Sequence, residues 1–274
     1  MPSDKQPLQI HLWAGSHPGK VRSRNEDALA IRAGDHQHPW IDQTPTGTLH
    51  AVTEQAILMI ADGMGGAPAG DLASQLAVEG ACEHFSDCHR IPQIDIQRRH
   101  LMDDAIQAAH KKIEAHQKHN PEHKDMGTTM VLAWLIGWEV YLAWTGDSRA
   151  YILGPNRASR PVTHDHSYVG EMVRAGDISW EEARTHPMSS ILSRAISAEG
   201  PPEVELHKET LSEGEWLLLC TDGLHDMLSN EQIHAVLQSY DQPDAAGKAL
   251  QQAALEAGGH DNITLCIARC DHDI

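Results

Sequence analysis

The 274-residue sequence predicts an α+β fold: two mainly antiparallel β-sheets flanked by helices, a four-layer α-β-β-α sandwich. Three observations lead there. Short apolar runs stop abruptly on turn formers, as buried strands do. Neighbouring runs are joined by tight turns suited to antiparallel pairing. The longer helical stretches fall in two blocks, one after the first long apolar run and one near the C-terminus, so two helical layers are available to cover two sheets.

In chain order, Leu8 to Ala14 alternates weakly and reads as an edge strand, with Gly15 to Gly19 as a turn. The charged segment Val21 to Asp27 leads into a strand, Ala28 to Ile31. Ala33 to Gln55, rich in His, Pro, Gly and Thr, reads as a long hairpin loop. Ala56 to Ala61 is a six-residue apolar run that ends on Asp62-Gly63-Met64-Gly65-Gly66, a buried strand carrying a carboxylate to a rim. Asp71 to Phe85 has helical spacing and an acidic first turn, and Arg98 to His119 places Met102, Ile106, Ala109 and Ile113 on one stripe. Met130 to Ile136 and Glu139 to Thr145 form a strand pair broken at Gly137, and Gly146-Asp147-Ser148 turns into the strand Arg149 to Leu153. Asp165 to Pro187 is an insertion of two short amphipathic pieces interrupted at Gly170 and Gly176, placed as a lid or a surface excursion. Glu215 to Thr221 repeats the earlier strand pattern and runs into Asp222-Gly223. Helices over Asn230 to Ser239 and Asp244 to Ala257 precede Gly258 to Asn262 and a final strand, Ile263 to Arg269.

Composition narrows the function. A formal net charge of -18 disfavours nucleic acid and anionic membrane as partners and favours metal cations. No apolar leader opens the chain, and the longest apolar run, Met130 to Trp138, is too short to span a bilayer. A monomeric cytoplasmic protein of one domain over residues 1–274 is expected, with its core at about 10–270. The five cysteines include no Cys-x-x-Cys pair, and no Arg stands six positions after any of them, which excludes the thiol-phosphatase cradle.

Glu26, Asp27, Asp62, Asp147, Asp222 and Asp261 all fall at predicted strand ends or in turns. Gathered without cations they would raise one another's pKa values, a conflict that divalent metal removes. An all-oxygen set without His suits Mg²⁺ or Mn²⁺, and favours hydrolysis by a metal-activated water. Arg22 adds a planar fork for phosphate oxygens.

Arg22-x-x-Asn25-Glu26-Asp27, Asp62-Gly63-Met64-Gly65-Gly66, Gly127-Thr128-Thr129, Gly146-Asp147-Ser148-Arg149, Thr221-Asp222-Gly223 and Asp261-Asn262 resemble, in order, the motifs of the PP2C (PPM) family of metal-dependent protein serine/threonine phosphatases. The resemblance covers about residues 10 to 270, and 165–187 is similar to the flap of bacterial members. It implies a β-sandwich flanked by helices and two or three Mn²⁺ or Mg²⁺ ions. Asp62 would bridge two metals, with the Gly63 carbonyl on one and Asp222 and Asp261 on the other. Asp147, with Asp222, matches a third site, and Glu26 and Asp27 act through metal-bound waters. By the same resemblance Arg22 would grip the phosphoryl group, and two metals would supply a hydroxide for in-line attack on phosphorus. His186 in the flap is a further substrate-binding candidate. Phosphorylated Ser/Thr proteins are the implied substrates and a Ser/Thr kinase the implied opponent. Met64, where eukaryotic relatives have His, is typical of bacterial members, and one departure stands out: many bacterial relatives have His where this chain has Ala67.

Other readings of these residues are plainer. His116, His119 and His123 have near-helical spacing, but among 20 histidines and beside Pro121 they read as a solvated helix face. Cys220 reads as packing. The alternative function is a pseudophosphatase, a phosphoprotein-binding or regulatory module of the same fold. An unrelated metallophosphoesterase is disfavoured, because Ala150 stands where a Gly-Asp-x-x-Asp signature requires Asp.

Overall fold

Period-two alternation along the strands sorts the apolar residues of this chain between separate cores. The computed structural model describes residues 8–34, 41–43, 47–51, 55–64, 69–86 and 91–272. Its first half contains β1 (Leu8–His17), β2 (Asp27–Gly34), β3 (Ile41–Gln43), β4 (Gly47–Ala51), β5 (Gln55–Met64), α1 (Gly70–Ser86) and α2 (Asp95–His119). A 3-10 turn (Pro121–His123), β6 (Gly127–Thr128), β7 (Met130–Ile136), β8 (Glu139–Thr145) and β9 (Arg149–Leu153) follow. Then come α3 (Tyr168–Ala175), α4 (Trp180–Arg184), β10 (Glu205–Thr210), β11 (Trp216–Cys220), α5 (Asp222–His225), α6 (Asn230–Gln238), α7 (Pro243–Glu256) and β12 (Ile263–His272).

One sheet runs β4-β1-β12-β11-β9 and the other β10-β8-β7-β5-β2-β3, with β6 paired to the end of β5. Every pairing is antiparallel. On β5, Ala56, Leu58 and Ile60 meet Leu217 and Leu219 of β11 in the core between the sheets, while Ile57, Met59 and Ala61 face α1 and α2. The opposite face of β11, with Trp216 and Leu218, packs on Ile233, Leu237 and Leu250 of α6 and α7. The result is the four-layer sandwich the sequence predicts. Helix ends follow local chemistry: Ser229 with Gln232 and Ser179 with Glu182 form capping boxes on α6 and α4, and Gly176 ends α3 at φ 80°. Among the described residues no helix is long and apolar enough to cross a membrane.

Four sequence expectations are corrected. β1 is longer than Leu8 to Ala14, passing through the expected turn at Gly15 to His17, and lies between β4 and β12 rather than at an edge. Its alternation is weak because both faces are covered: Leu12 faces the other sheet while Trp13 packs with the α6 and α7 core. The expected hairpin loop 33–55 contains the end of β2, the start of β5, and between them β3, on one sheet, and β4, on the other; residues 35–40, 44–46 and 52–54 lie outside the described residues. β10 was missed because, as an edge strand, it is polar: Lys208 pairs with Asp95 and Glu139, and Glu209 with Arg157. The short α5, starting at Asp222, also carries no periodic signal.

Candidate metal centre

At one end of the sandwich the layer between the sheets changes character while its alternation continues. Two residues beyond the inter-sheet residues Ala14, Leu29, Ile60, Val131, Ala150, Leu219 and Cys266 stand Ser16, Asp27, Asp62, Thr129, Ser148, Thr221 and Thr264. Asp27 and Asp62 are register partners on β2 and β5. The hydroxyls tie the ends together: Ser16 Oγ to Thr264 Oγ1 at 2.7 Å, and Thr129 Oγ1 to Ser148 Oγ at 2.7 Å. Thr221 Oγ1 donates to Asp27 Oδ2 at 2.9 Å, and Asp62 N–H donates to Thr129 Oγ1 at 3.1 Å.

Loops and a helix start add the remaining acids. Asn262 braces the segment that carries Glu26: its Nδ2 donates to Pro18 O at 3.0 Å and Arg24 O at 2.8 Å, and its Oδ1 accepts Glu26 N–H at 2.7 Å. Arg22 donates to Asp261 at 2.5 Å. His225 bonds the Asp147 carbonyl at 3.2 Å. Two glycines permit this crowding. A Cβ on Gly63 would stand 2.0 Å from Gly70 O, and one on Gly223 would stand 1.9 Å from Asn262 O.

Arg22, Glu26, Asp62, Gly63, Asp147, Asp222 and Asp261 line one basin of about 880 Å³. The structure thus gathers these sequence candidates from across the chain. Asp27 stands behind the basin against Asp62, and His186 is not among its lining residues. The walls were not read from the sequence. Lys124 to Gly127 form one side, and residues between Ser190 and Glu203 the other, beyond the expected flap end at 187. That second wall is anchored to α2 by His110 Nδ1 to Ser197 O at 2.8 Å and Gln107 to Pro202 O at 3.1 Å. Its residues mix Ser, Gly and Pro with apolar and charged side chains, and carry no periodicity to mark them.

Electrostatics report crowding. Burial pushes the Asp27 carboxyl up to about 7, against hydrogen bonds from Thr264 and Thr221. Asp147 rises to about 6 through burial and then Asp165. Asp62 and Asp222 are held well above the usual carboxylate range, by burial first and then by Asp222 and Asp147 respectively. Asp27 Oδ1 and Asp222 Oδ1 are buried without a hydrogen-bond partner. Unsatisfied buried acceptors beside like charges fit cations, and the donor set, oxygen throughout, suits hard divalent ions. Among the described residues no three Asp, Glu, His or Cys side chains close on a single point.

Two antiparallel sheets between helical layers, with the inter-sheet core opening at one end onto crowded carboxylates, define the class: a four-layer sandwich protein with a centre suited to hard cations. The chain belongs to the protein phosphatase 2C family, whose model matches residues 45–254. It is 34% identical over 262 residues to the serine/threonine phosphatase stp of Listeria monocytogenes, covering 96% of each chain. The crystal structure of the Mycobacterium tuberculosis serine/threonine phosphatase PstP/Ppp superimposes with a TM-score of 0.78 at 31% identity, covering 96% of this chain and 100% of that one. The catalytic domain of PstP in complex with 2 manganese ions gives a TM-score of 0.75 at 30% identity, covering 96% of this chain and 99% of that one.

Proposed function

We propose that this protein hydrolyses phosphoserine and phosphothreonine in proteins, using divalent cations held at the end of the inter-sheet layer. The observation that carries the reading is the basin itself: Glu26, Asp62, Asp147, Asp222 and Asp261 meet in its lining with Arg22 at the rim, backed by the orphaned oxygens of Asp27 and Asp222. Names of the relatives and the manganese-bound structure support the substrate class and the cofactor. Asp62, the Gly63 carbonyl, Asp222 and Asp261 are the proposed holders of two ions, with Asp147 and Asp222 for a third and Glu26 and Asp27 behind coordinated water. Two or three bound Mn²⁺ or Mg²⁺ ions supply an activated water and counter-charge for phosphoryl oxygens.

The chain's own groups do the positioning. Asn262 fixes the loop that presents Arg22 and Glu26, and Thr221 and Thr129 orient Asp27 and the backbone of Asp62. The Arg22 side chain is 56% exposed, so donors not spent on Asp261 remain free to take phosphate oxygens in a planar fork. Burial raises the thiols of Cys220, Cys266 and Cys270 far from ionisation at neutral pH, so none of these three serves as nucleophile. The finer reading takes residues 1–274 as one cytoplasmic catalytic unit opposing a Ser/Thr kinase.

The test is turnover of a phosphothreonine peptide and of an aryl phosphate with Mn²⁺, with Mg²⁺ and with excess chelator. Wild type turns over both only with metal, and Asp222→Asn falls by at least about a hundredfold, the scale of removing one electrostatic stabiliser. No turnover by folded, metal-loaded wild type would replace the enzyme with a phosphoprotein-binding module.

A further inference from the structure

Three of the large apolar residues left exposed come from one short region: Tyr168, Met188 and Ile191 leave 46%, 38% and 46% of their surface in solvent. Backbone bonds hold them in place, Tyr168 N–H donating to Ile191 O at 2.8 Å and Ile191 N–H to Met188 O at 3.2 Å. His186 braces the group. Its ring lies tilted against Tyr168 at 6.3 Å between centroids, and its Nδ1 accepts Met188 N–H at 3.2 Å. The patch is therefore presented by a fixed turn. Packing of the flap onto the body is carried by other residues, the buried Val169 and Ala183 and Trp180 over Arg149 at 4.5 Å. An ordered apolar patch that the fold does not need marks an interaction surface.

Its position chooses the partner. Ser190 and Leu192, on either side of Ile191, line the basin, so patch and basin share a rim. A basin of about 880 Å³ holds more than one phosphorylated side chain, lying near the top of the roughly 300–1,000 Å³ range of drug-sized pockets. Arg22, Lys124 and Arg194 line it together with eight carboxylates, so a segment bearing phosphate meets these three basic groups where bound cations offset the acids.

We infer that Tyr168, Met188 and Ile191 form a docking surface for an apolar side chain flanking the phosphorylated residue of a protein substrate. The inference rests on the phosphatase reading and adds the sequence preference of the same site. The flap then selects among phosphopeptides without touching the phosphate, and His186 acts as a positioning residue for the turn.

The experiment compares wild type with a Met188→Ser, Ile191→Ser double variant and, separately, Tyr168→Ser. Three substrates are used: an aryl phosphate, a phosphothreonine peptide with Leu on both sides, and the same peptide with Ser in place of Leu. Wild type prefers the Leu peptide by about tenfold in kcat/KM, the scale of a modest apolar contact. The variants lose that preference while turnover of the aryl phosphate and the Ser peptide stays unchanged, which also shows that they fold. Equal kcat/KM for both peptides in wild type, or a preference that survives in the variants, overturns the inference. So does a preference kept intact while sedimentation shows the double variant converting a dimer to a monomer, since a second copy then occupies the patch. If wild type turns over nothing, the phosphatase reading fails by itself, and the docking surface is read from calorimetric binding of the two peptides, where equal affinity overturns it.

Discussion

Asp27 and Asp62 face each other directly across β2 and β5, a like-charge pairing that destabilises a sheet unless something neutralises it. The same strain is absent at Arg149 and Asp165, where opposite charges are buried together. Arg149 Nε and Nη2 donate to the two carboxylate oxygens at 2.9 and 2.6 Å, with both side chains under 10% exposed at 7% and 6%. Trp180 lies over the guanidinium, and Tyr151 bonds both Arg149 and Asn230. This pair therefore ties the start of the flap to β9, two residues from Asp147. Asp165→Ala strands a buried cation and should cost about 3–5 kcal/mol by urea denaturation, whereas replacing both partners with apolar residues of similar size should cost much less. Equal losses would mean that the charges themselves hold the flap.

Among the elements, those with a covered face on each side and a sharp end were the most legible. β5 and β11 announced themselves because apolar runs stop on Asp-Gly, and α2 because Met102, Ile106, Ala109 and Ile113 share a buried stripe. β10 did not, since Glu205 and Glu209 are satisfied by Arg174 and Arg157, partners that only the folded chain brings to them. The connection after α2 shows what periodicity cannot express. Gln117 Nε2 donates to the carbonyls of His123, Lys124 and Met126 at 3.0, 3.1 and 3.2 Å, pinning the wall that carries Lys124. Near it, His116 Nε2 and His123 Nδ1 lie 2.9 Å apart, bonded to each other. Gln117→Ala should cost about 1–3 kcal/mol and speed amide exchange over residues 123–127 more than in β7. Uniform exchange changes would show that the wall is not held locally.

Across the molecule, the acids come from β2, β5, a turn, the start of α5 and the loop before β12, so only the meeting of two sheets makes them a site. The sequence marks each one as an acid at an apolar run's end, and six ordered motifs name the family. The motifs contain Thr129, Ser148 and Thr221 without assigning the hydroxyls a part, since that part depends on which face of a strand they occupy, and nothing in the sequence marks Thr264 or the wall from Ser190 to Glu203. Crowded carboxylates with orphaned oxygens cost stability that bound cations return, and an ion present at about a hundred times its Kd contributes about 2.7 kcal/mol. The central claim is best tested by calorimetric titration of Mn²⁺ into the metal-stripped chain, beside Asp62→Asn. Wild type should bind two or three ions, with a thermal midpoint that rises on binding, and Asp62→Asn should lose the tightest binding. Wild type that binds no Mn²⁺, or an Asp62→Asn variant that binds it equally well, would contradict the account.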